Sequence, residues 1–88
     1  MKARKFHEVD LYNFGRWLAY VLDVEGMSQS RLAHSLKLNE NTVCGYVAGT
    51  HMPRLTTLWR ICVYLDVPFG DAIKAIEMDL RVMENVTD

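Results

Sequence analysis

The side chains that could carry catalysis or bind a metal in this 88-residue sequence are few and far apart. The candidates are Cys44, His51 and Cys62. A zinc site built from these three would lack a fourth ligand and the short spacings typical of zinc sites. The sequence also has no Ser/His/Asp or Cys/His catalytic pattern and no glycine-rich loop that could cradle a phosphate. We therefore predict a protein that is not an enzyme and uses no metal and no cofactor.

The composition predicts an ordered single domain, because half of the residues are apolar and only two are proline. The sequence contains no run of eighteen apolar residues and no signal-peptide pattern, so we expect a soluble protein with no membrane partner. Cys62 falls in an apolar stripe and is expected in the core. Cys44 is expected to be a free thiol in a reducing cytoplasm.

The net charge of −1 is unlike that of the strongly basic domains that commonly bind nucleic acids. The charges are unevenly distributed, however. Residues 1–60 carry eight Lys/Arg against five Asp/Glu, and residues 61–88 carry two against six. A positive part beside an acidic end is compatible with duplex binding, because phosphate contacts depend on local charge. It is also compatible with an ordinary solvated surface.

Hydrophobic periodicity predicts an all-α chain. The five predicted helices are Leu11–Val24, Gln29–Leu36, Glu40–Ala48, Leu55–Leu65 and Phe69–Glu84. We expect Asp10, Ser28 and Asn39 to cap the first three helices, because their side chains can accept free backbone N–H groups. Gly26 and Gly49 are expected to end the first and third helices in the left-handed conformation.

The second and third helices and the segment after them carry a family resemblance. Small, apolar and breaker residues fall in register in the segments 28–33, 36–43 and 49–53, followed by Leu58, Ile61 and Leu65. This pattern resembles the phage repressor/Cro (Xre-like) helix-turn-helix family over about residues 11–68. The resemblance implies a compact five-helix bundle of the lambda-repressor-like DNA-binding type. One departure is Lys37, at a turn position that the family usually gives to glycine, where a positive φ is expected.

The resemblance also implies which residues contact DNA. Base contacts are expected from Glu40, Asn41, Cys44 and Gly45. Phosphate contacts are expected from Gln29, Thr50, His51 and Arg54, although His51 also fits an ordinary exposed loop residue. The Asn41 amide matches adenine N6 and N7, and Glu40 can accept a hydrogen bond from cytosine N4. Gly45 has no side chain, so it can only permit close approach.

The two ends of the chain lie outside the helix-turn-helix domain, which we place at residues 10–68. Residues 1–9 resemble a flexible basic arm in which Lys2, Arg4 and Lys5 could reach DNA, and a frayed terminus fits equally well. Residues 69–88 form the last helix and a tail. Apolar residues in this helix are spaced 4-3-4-3, as in a coiled-coil seam: Phe69, Ile73, Ile76, Leu80 and Met83.

We expect the first half of that seam to be covered by the first and fourth helices. The second half would then close a homodimer through Leu80 and Met83, with Ile76 shared between core and interface. The alternative is that the last helix folds back entirely onto its own domain. Trp17 and Tyr20 lie off the apolar stripe of the first helix, and we expect them to pack inward rather than to form a partner surface.

Taken together, the resemblance implies a sequence-specific DNA-binding transcriptional regulator, most simply a small dimeric repressor of phage or mobile-element type. Its expected partners are double-stranded DNA, a second copy and, in addition, a regulatory protein. It is expected in the cytoplasm of a bacterium or phage-infected host, associated with the nucleoid. The alternative is a protein-interaction module, an anti-repressor or adaptor, that kept the scaffold but lost DNA binding. Net acidity, Glu40, Gly45 and Ala48 favour that alternative.

Overall fold

Residues 10–85, the part of the chain that this computed structural model describes, form five α-helices. They are α1 (Tyr12–Glu25), α2 (Gln29–Leu36), α3 (Glu40–Ala48), α4 (Leu55–Leu65) and α5 (Phe69–Asn85). The all-α prediction is confirmed. The bounds of α2, α3 and α4 agree with the prediction, whereas α1 begins and ends one residue later and α5 ends one residue later.

The core lies where α1 packs against α3 and α5, with α2 against α3 and α4 against α5. Its completely inaccessible apolar side chains come from all five helices and from the residue before α1: Leu11, Phe14, Leu18, Leu32, Ala33, Val43, Ile61 and Ala72. Cys62 is also in the core, as predicted, with only 1% of its surface exposed. Burial is the main stabilising contribution in a domain of this size.

The ends of α2 and α3 are held by residues next to them in the sequence. Ser28 Oγ accepts the Arg31 N–H at 3.0 Å, and Asn39 Oδ1 accepts the Asn41 N–H at 2.7 Å. Lys37 follows α2 in the left-handed conformation with φ 59°, and Gly49 follows α3 with φ 82°. Both predicted caps and the positive φ at Lys37 are confirmed.

The start of α1 is held differently, and the predicted Asp10 cap is wrong. Leu11 occupies the N-cap position and makes no side-chain capping bond. The cap comes instead from Asp79 in α5, whose carboxylate accepts the N–H groups of Asn13 at 2.8 Å and Phe14 at 2.9 Å. Asp79 also accepts from Asn13 Nδ2 at 2.9 Å. A carboxylate at this end of a helix is favoured by the helix dipole.

The inward face of α5 is formed by Ala72, Ala75, Ile76 and Asp79, all buried. The predicted seam is therefore wrong at Ile73, which is 39% exposed. The reason is that two alanines and a hydrogen-bonded aspartate of α5 cover the core. The helix is therefore rotated so that larger apolar side chains such as Ile73 face away from the core. Ile76 belongs to the core, whereas Leu80 is 48% exposed. The Met83 side chain is not among those that the structure describes.

The aromatic residues of α1 behave differently from each other. Trp17 is half-buried against the core and stacks on Phe14, with ring centroids 5.8 Å apart. Tyr20 is 68% exposed, so the prediction that it packs inward is wrong. Among the described helices, none is long and apolar enough to cross a lipid bilayer.

Candidate nucleic-acid interface

The outward face of α3 carries the polar residues predicted to contact bases. Val43 and Tyr46 point into the core, with 0% and 5% of their surface exposed. Glu40, Asn41 and Cys44 are consequently exposed, and their spacing brings them together on one side of the helix. Asn41 donates its backbone N–H to the Asn39 cap, and its side-chain amide makes no hydrogen bond with any residue between 10 and 85. The start of α3 therefore presents an amide, a carboxylate and a thiol to solvent.

The orientation of α3 is set by close backbone contacts with α1. A Cβ on Gly15 would overlap the carbonyl oxygen of Val47 and lie 3.2 Å from that of Tyr46. The Leu11 N–H donates to the Gly49 carbonyl at 2.8 Å, and a Cβ on Gly49 would lie 2.9 Å from the Leu11 oxygen. Gly15 was not among the residues predicted to position the site, although glycine inside a helix signals such a close approach.

Gly45, one of the predicted base contacts, is buried and is not among the exposed residues of α3. The His51 imidazole occupies the space above it: a Cβ on Gly45 would overlap Nδ1 and lie 2.8 Å from both Cγ and Cε1. The loop is held there because the Gly45 carbonyl accepts the N–H groups of Thr50 at 2.9 Å and His51 at 3.3 Å. Thr50 Oγ1 is also 3.0 Å from His51 Nδ1. The segment after α3 thus folds back onto the helix.

The other predicted phosphate contacts lie on both sides of α3. Gln29 is the first residue of α2 and lines a shallow groove together with Asp23 and Ser28. Arg54 is exposed immediately before α4. Burial raises the pKa of the Tyr46 hydroxyl, and the positive charge of Arg54 partly opposes that rise. Thr50, which lies between Gln29 and Arg54 in the sequence, is also exposed.

The charges near α3 are mixed. Glu40 makes no ion pair with any residue between 10 and 85, so its carboxylate faces solvent uncompensated within that range. Such a charge near DNA is favourable only where it meets a hydrogen-bond donor such as cytosine N4. The predicted arm contacts, Lys2, Arg4 and Lys5, lie outside the described residues.

The two cysteines occupy different environments. Cys44 is exposed on α3, and Cys62 is buried in α4. Burial raises the pKa of the Cys62 thiol, and the charge of Asp71 raises it further. Cys62 is therefore a protonated, inert core residue at neutral pH, whereas Cys44 belongs to the outward face of α3.

Comparison with known proteins agrees with this geometry. The family model described as a Cro/C1-type HTH DNA-binding domain matches residues 18–77. A similar solved structure is the crystal structure of the restriction-modification controller protein C.AhdI from Aeromonas hydrophila. It is 26% identical, covers 70% of this chain and 94% of its own, and superposes with a TM-score of 0.66. No curated protein matches the chain. The α2–α3 pair and the family match together establish that the chain belongs to the Cro/C1-type helix-turn-helix family of DNA-binding transcription regulators.

Proposed function

We propose that this protein is a sequence-specific repressor that binds operator DNA as a homodimer, of the type carried by phages and mobile elements. The observation that carries the proposal is the exposed face of α3, formed by Glu40, Asn41 and Cys44 and backed by a tightly packed α1. A rigid helix with polar residues at its exposed N-terminal end fits a DNA major groove. The similarity to a restriction-modification controller protein supports a regulatory role.

Base recognition in this proposal depends mainly on Asn41, with Glu40 and Cys44 beside it. Its free amide offers one donor and one acceptor, which match adenine N7 and N6. Glu40 selects cytosine by accepting from N4 and disfavours other bases. Phosphate contacts come from Gln29 and Arg54, and the N–H groups at the start of α2 add to the site at Gln29. The backbone N–H and the hydroxyl of Thr50 already form hydrogen bonds with Gly45 and His51, so Thr50 positions the loop.

Dimerisation is supported by exposed apolar side chains on α4 and α5. The exposed apolar side chains include Trp59, Val63, Ile73 and Leu80, and Phe69 is partly buried. Trp59 is 55% exposed and Val63 59%, and Trp59 meets Phe69 edge to face at 5.6 Å, which joins α4 to the start of α5. A two-fold contact here would remove these side chains from water and pair two copies of α3.

The spacing of successive major grooves explains why a dimer would bind DNA better than a monomer. Two copies of α3 placed about 34 Å apart would enter successive major grooves of a pseudo-palindromic site. Such pairing strengthens binding when each half-site is weak, because the second contact becomes intramolecular. Met83 follows Leu80 by three residues and keeps its predicted place in this interface.

The alternative is an interaction module that no longer binds DNA. The specific observation in its favour is the uncompensated Glu40 carboxylate at the start of α3. Phosphates repel a carboxylate that finds no donor, so this residue lowers affinity for most sequences.

A mobility-shift assay with duplex DNA flanking the protein's own gene tests the proposal. We expect a shift whose affinity falls steeply with salt, because bound cations displace counterions from DNA. Asn41→Ala should cost about 1–3 kcal/mol of discrimination at one adenine position. Arg54→Ala should instead weaken all sequences evenly and flatten the salt slope by about one unit. Lys74→Ala, which removes an exposed cation from α5, is the control and should change neither the discrimination between sequences nor the salt slope. A folded protein that shifts no fragment at low salt would favour the interaction module.

Sedimentation equilibrium tests the dimer separately from DNA binding. The wild-type protein should be dimeric at about 20 μM, a concentration at which a micromolar dimer is well populated. Leu80→Asp should be a folded monomer with much weaker DNA binding, since it would bury a charge beside its own copy. The matched control is Met78→Asp, which is 55% exposed on a different side of α5 and should stay dimeric. A monomeric wild type, or a dimeric Leu80→Asp variant, contradicts the proposed interface.

A further inference from the structure

We propose that His51 reads a base, supplying from the loop the contact that α3 lacks at Gly45. This inference rests on the DNA binding proposed above and adds a specificity-determining residue to it. It replaces the phosphate contact expected for His51 from the sequence. The ligand is a purine edge in the major groove, met by Nε2 of the imidazole.

The first step concerns where Gly45 lies. Asn41 and Gly45 are four residues apart in α3 and therefore share its outward face. They are separated by about 6 Å along the helix axis, which corresponds to about two base-pair steps of 3.4 Å. A side chain at position 45 would be the next one to meet bases after Asn41. Glycine provides none, and the His51 ring stands in its place.

The second step concerns how the ring is held. The atoms closest to a Cβ on Gly45 are Nδ1, Cγ and Cε1, so Nε2 and Cδ2 are farther from the helix. The backbone N–H of His51 donates to the Gly45 carbonyl at 3.3 Å, and Nδ1 is paired with Thr50 Oγ1 at 3.0 Å. His51 is exposed as a residue, and Nε2 has no hydrogen-bond partner between residues 10 and 85. The ring is therefore fixed with one nitrogen facing solvent on the outward side of α3.

The third step concerns which group Nε2 presents. The Gly45 carbonyl already accepts two backbone N–H groups, and the Thr50 hydroxyl is 3.4 Å from it, against 3.0 Å from Nδ1. The hydroxyl proton is accordingly assigned to Nδ1. The proton of the neutral ring then lies on Nε2, which becomes a donor. In the major groove the matching acceptors are purine N7, guanine O6 and thymine O4, and guanine offers two of them side by side.

The arrangement also gives a reason for glycine within α3. Glycine is unfavourable inside a helix, and any Cβ here would displace the imidazole. The side chain at this place on the outward face of α3 therefore belongs to the loop residue His51 and not to the helix. The expected pattern is coupling between residues 45 and 51, because a change at either position removes the same base contact.

Selection of duplexes from a randomised library, followed by competition mobility shifts, tests the inference. The informative variant is His51→Phe, which keeps a ring above Gly45 but has no nitrogen. We expect it to retain the Asn41 preference and to lose about fivefold to tenfold of the preference for a purine at one neighbouring position of each half-site. Gly45→Ala should lose the same preference, and the double variant should lose no more.

Two further readouts keep the test decisive. Thermal melting followed by circular dichroism checks that each variant is folded, and Thr50→Val provides a second route if His51→Phe is not. That variant removes the hydroxyl that donates to Nδ1 and so keeps the ring proton on Nε2, and the purine preference should therefore weaken.

The opposing results are distinct. If His51→Phe keeps the wild-type consensus but weakens selected and random duplexes equally, His51 binds a phosphate and the inference is wrong. Unchanged consensus and unchanged affinity would show that the ring only packs on Gly45, which also overturns it. A wild-type protein that enriches no sequence would instead overturn the proposed function itself, and the inference would fall with it.

Discussion

The N-termini of α3 and α1 are capped in opposite ways. One of the backbone N–H groups at the start of α3 donates to the side chain of Asn39, the residue immediately before the helix. Those of α1 are bonded to Asp79, which is 65 and 66 residues away from its two partners. The Asn39 cap is exposed, whereas Asp79 is 3% exposed. The helix proposed to face DNA is therefore capped by a neighbouring residue, and the helix that supports it depends on the far end of the chain.

This difference links the C-terminal helix to the exposed face of α3. Asp79 in α5 holds the start of α1, and the start of α1 holds the end of α3 through Leu11 and Gly49. Gly15 brings the two backbones together one turn later. A change in α5 can consequently alter α3 without touching DNA, whereas a change in the α2–α3 caps acts directly.

The largest expected effect comes from removing the long-range cap. Asp79→Ala would leave two N–H groups at the start of α1 without their buried acceptor, so we expect a loss of about 3 kcal/mol in the free energy of unfolding. Urea denaturation measures it. Glu77→Ala is the control: its pair with Arg81 is exposed, with the two side chains 54% and 72% accessible, and the loss should be below about 0.5 kcal/mol.

If Asp79→Ala lowers the free energy of unfolding by less than about 0.5 kcal/mol, the dependence of α1 on α5 is contradicted. Asp79→Asn sharpens the result, because an amide keeps one acceptor oxygen and the packing but not the charge. The free energy of unfolding of Asp79→Asn should lie between that of the wild type and that of Asp79→Ala.

A smaller effect is expected from the local cap. Asn39→Ala removes one exposed side-chain acceptor from the start of α3, which should cost about 1 kcal/mol in the free energy of unfolding. Asn39→Asp is the matched control and should retain stability, because aspartate caps equally well. If Asn39→Ala costs as much as Asp79→Ala, the contrast between the two helices is wrong.

The same contrast explains how far the fold could be predicted from the sequence. The ends of α2 and α3 were predictable because Ser28, Asn39 and Gly49 act on residues within a few positions of themselves. The Asp79 cap was not, since no local pattern indicates which distant carboxylate meets a helix end. The seam in α5 was misread at Ile73 because small residues and a buried aspartate, rather than the largest side chains, face the core.

The candidate site divides in the same manner. The family resemblance implied that Glu40, Asn41 and Cys44 face outward on α3, and all three are exposed. The burial of Gly45 could not be foreseen, because it depends on a loop residue, His51, folding back by hydrogen bonds that have no sequence signature. Surfaces built from one helix were predictable, and surfaces completed by a neighbouring loop were not.

The smallest expected effect has the opposite sign and concerns the turn between α2 and α3. Lys37 is exposed and has φ 59°, a conformation that is costly for a residue with a Cβ, so Lys37→Gly should stabilise the protein by about 0.5–1 kcal/mol. Asp66→Gly, at φ 58° after α4, should act alike. Lys74→Gly, inside α5, should instead destabilise by about 1 kcal/mol. The free energy of unfolding from urea denaturation decides among these. A destabilised Lys37→Gly variant would mean that the lysine side chain contributes more at this turn than its backbone conformation costs, and that the helix-turn-helix unit is not held by local backbone preferences alone.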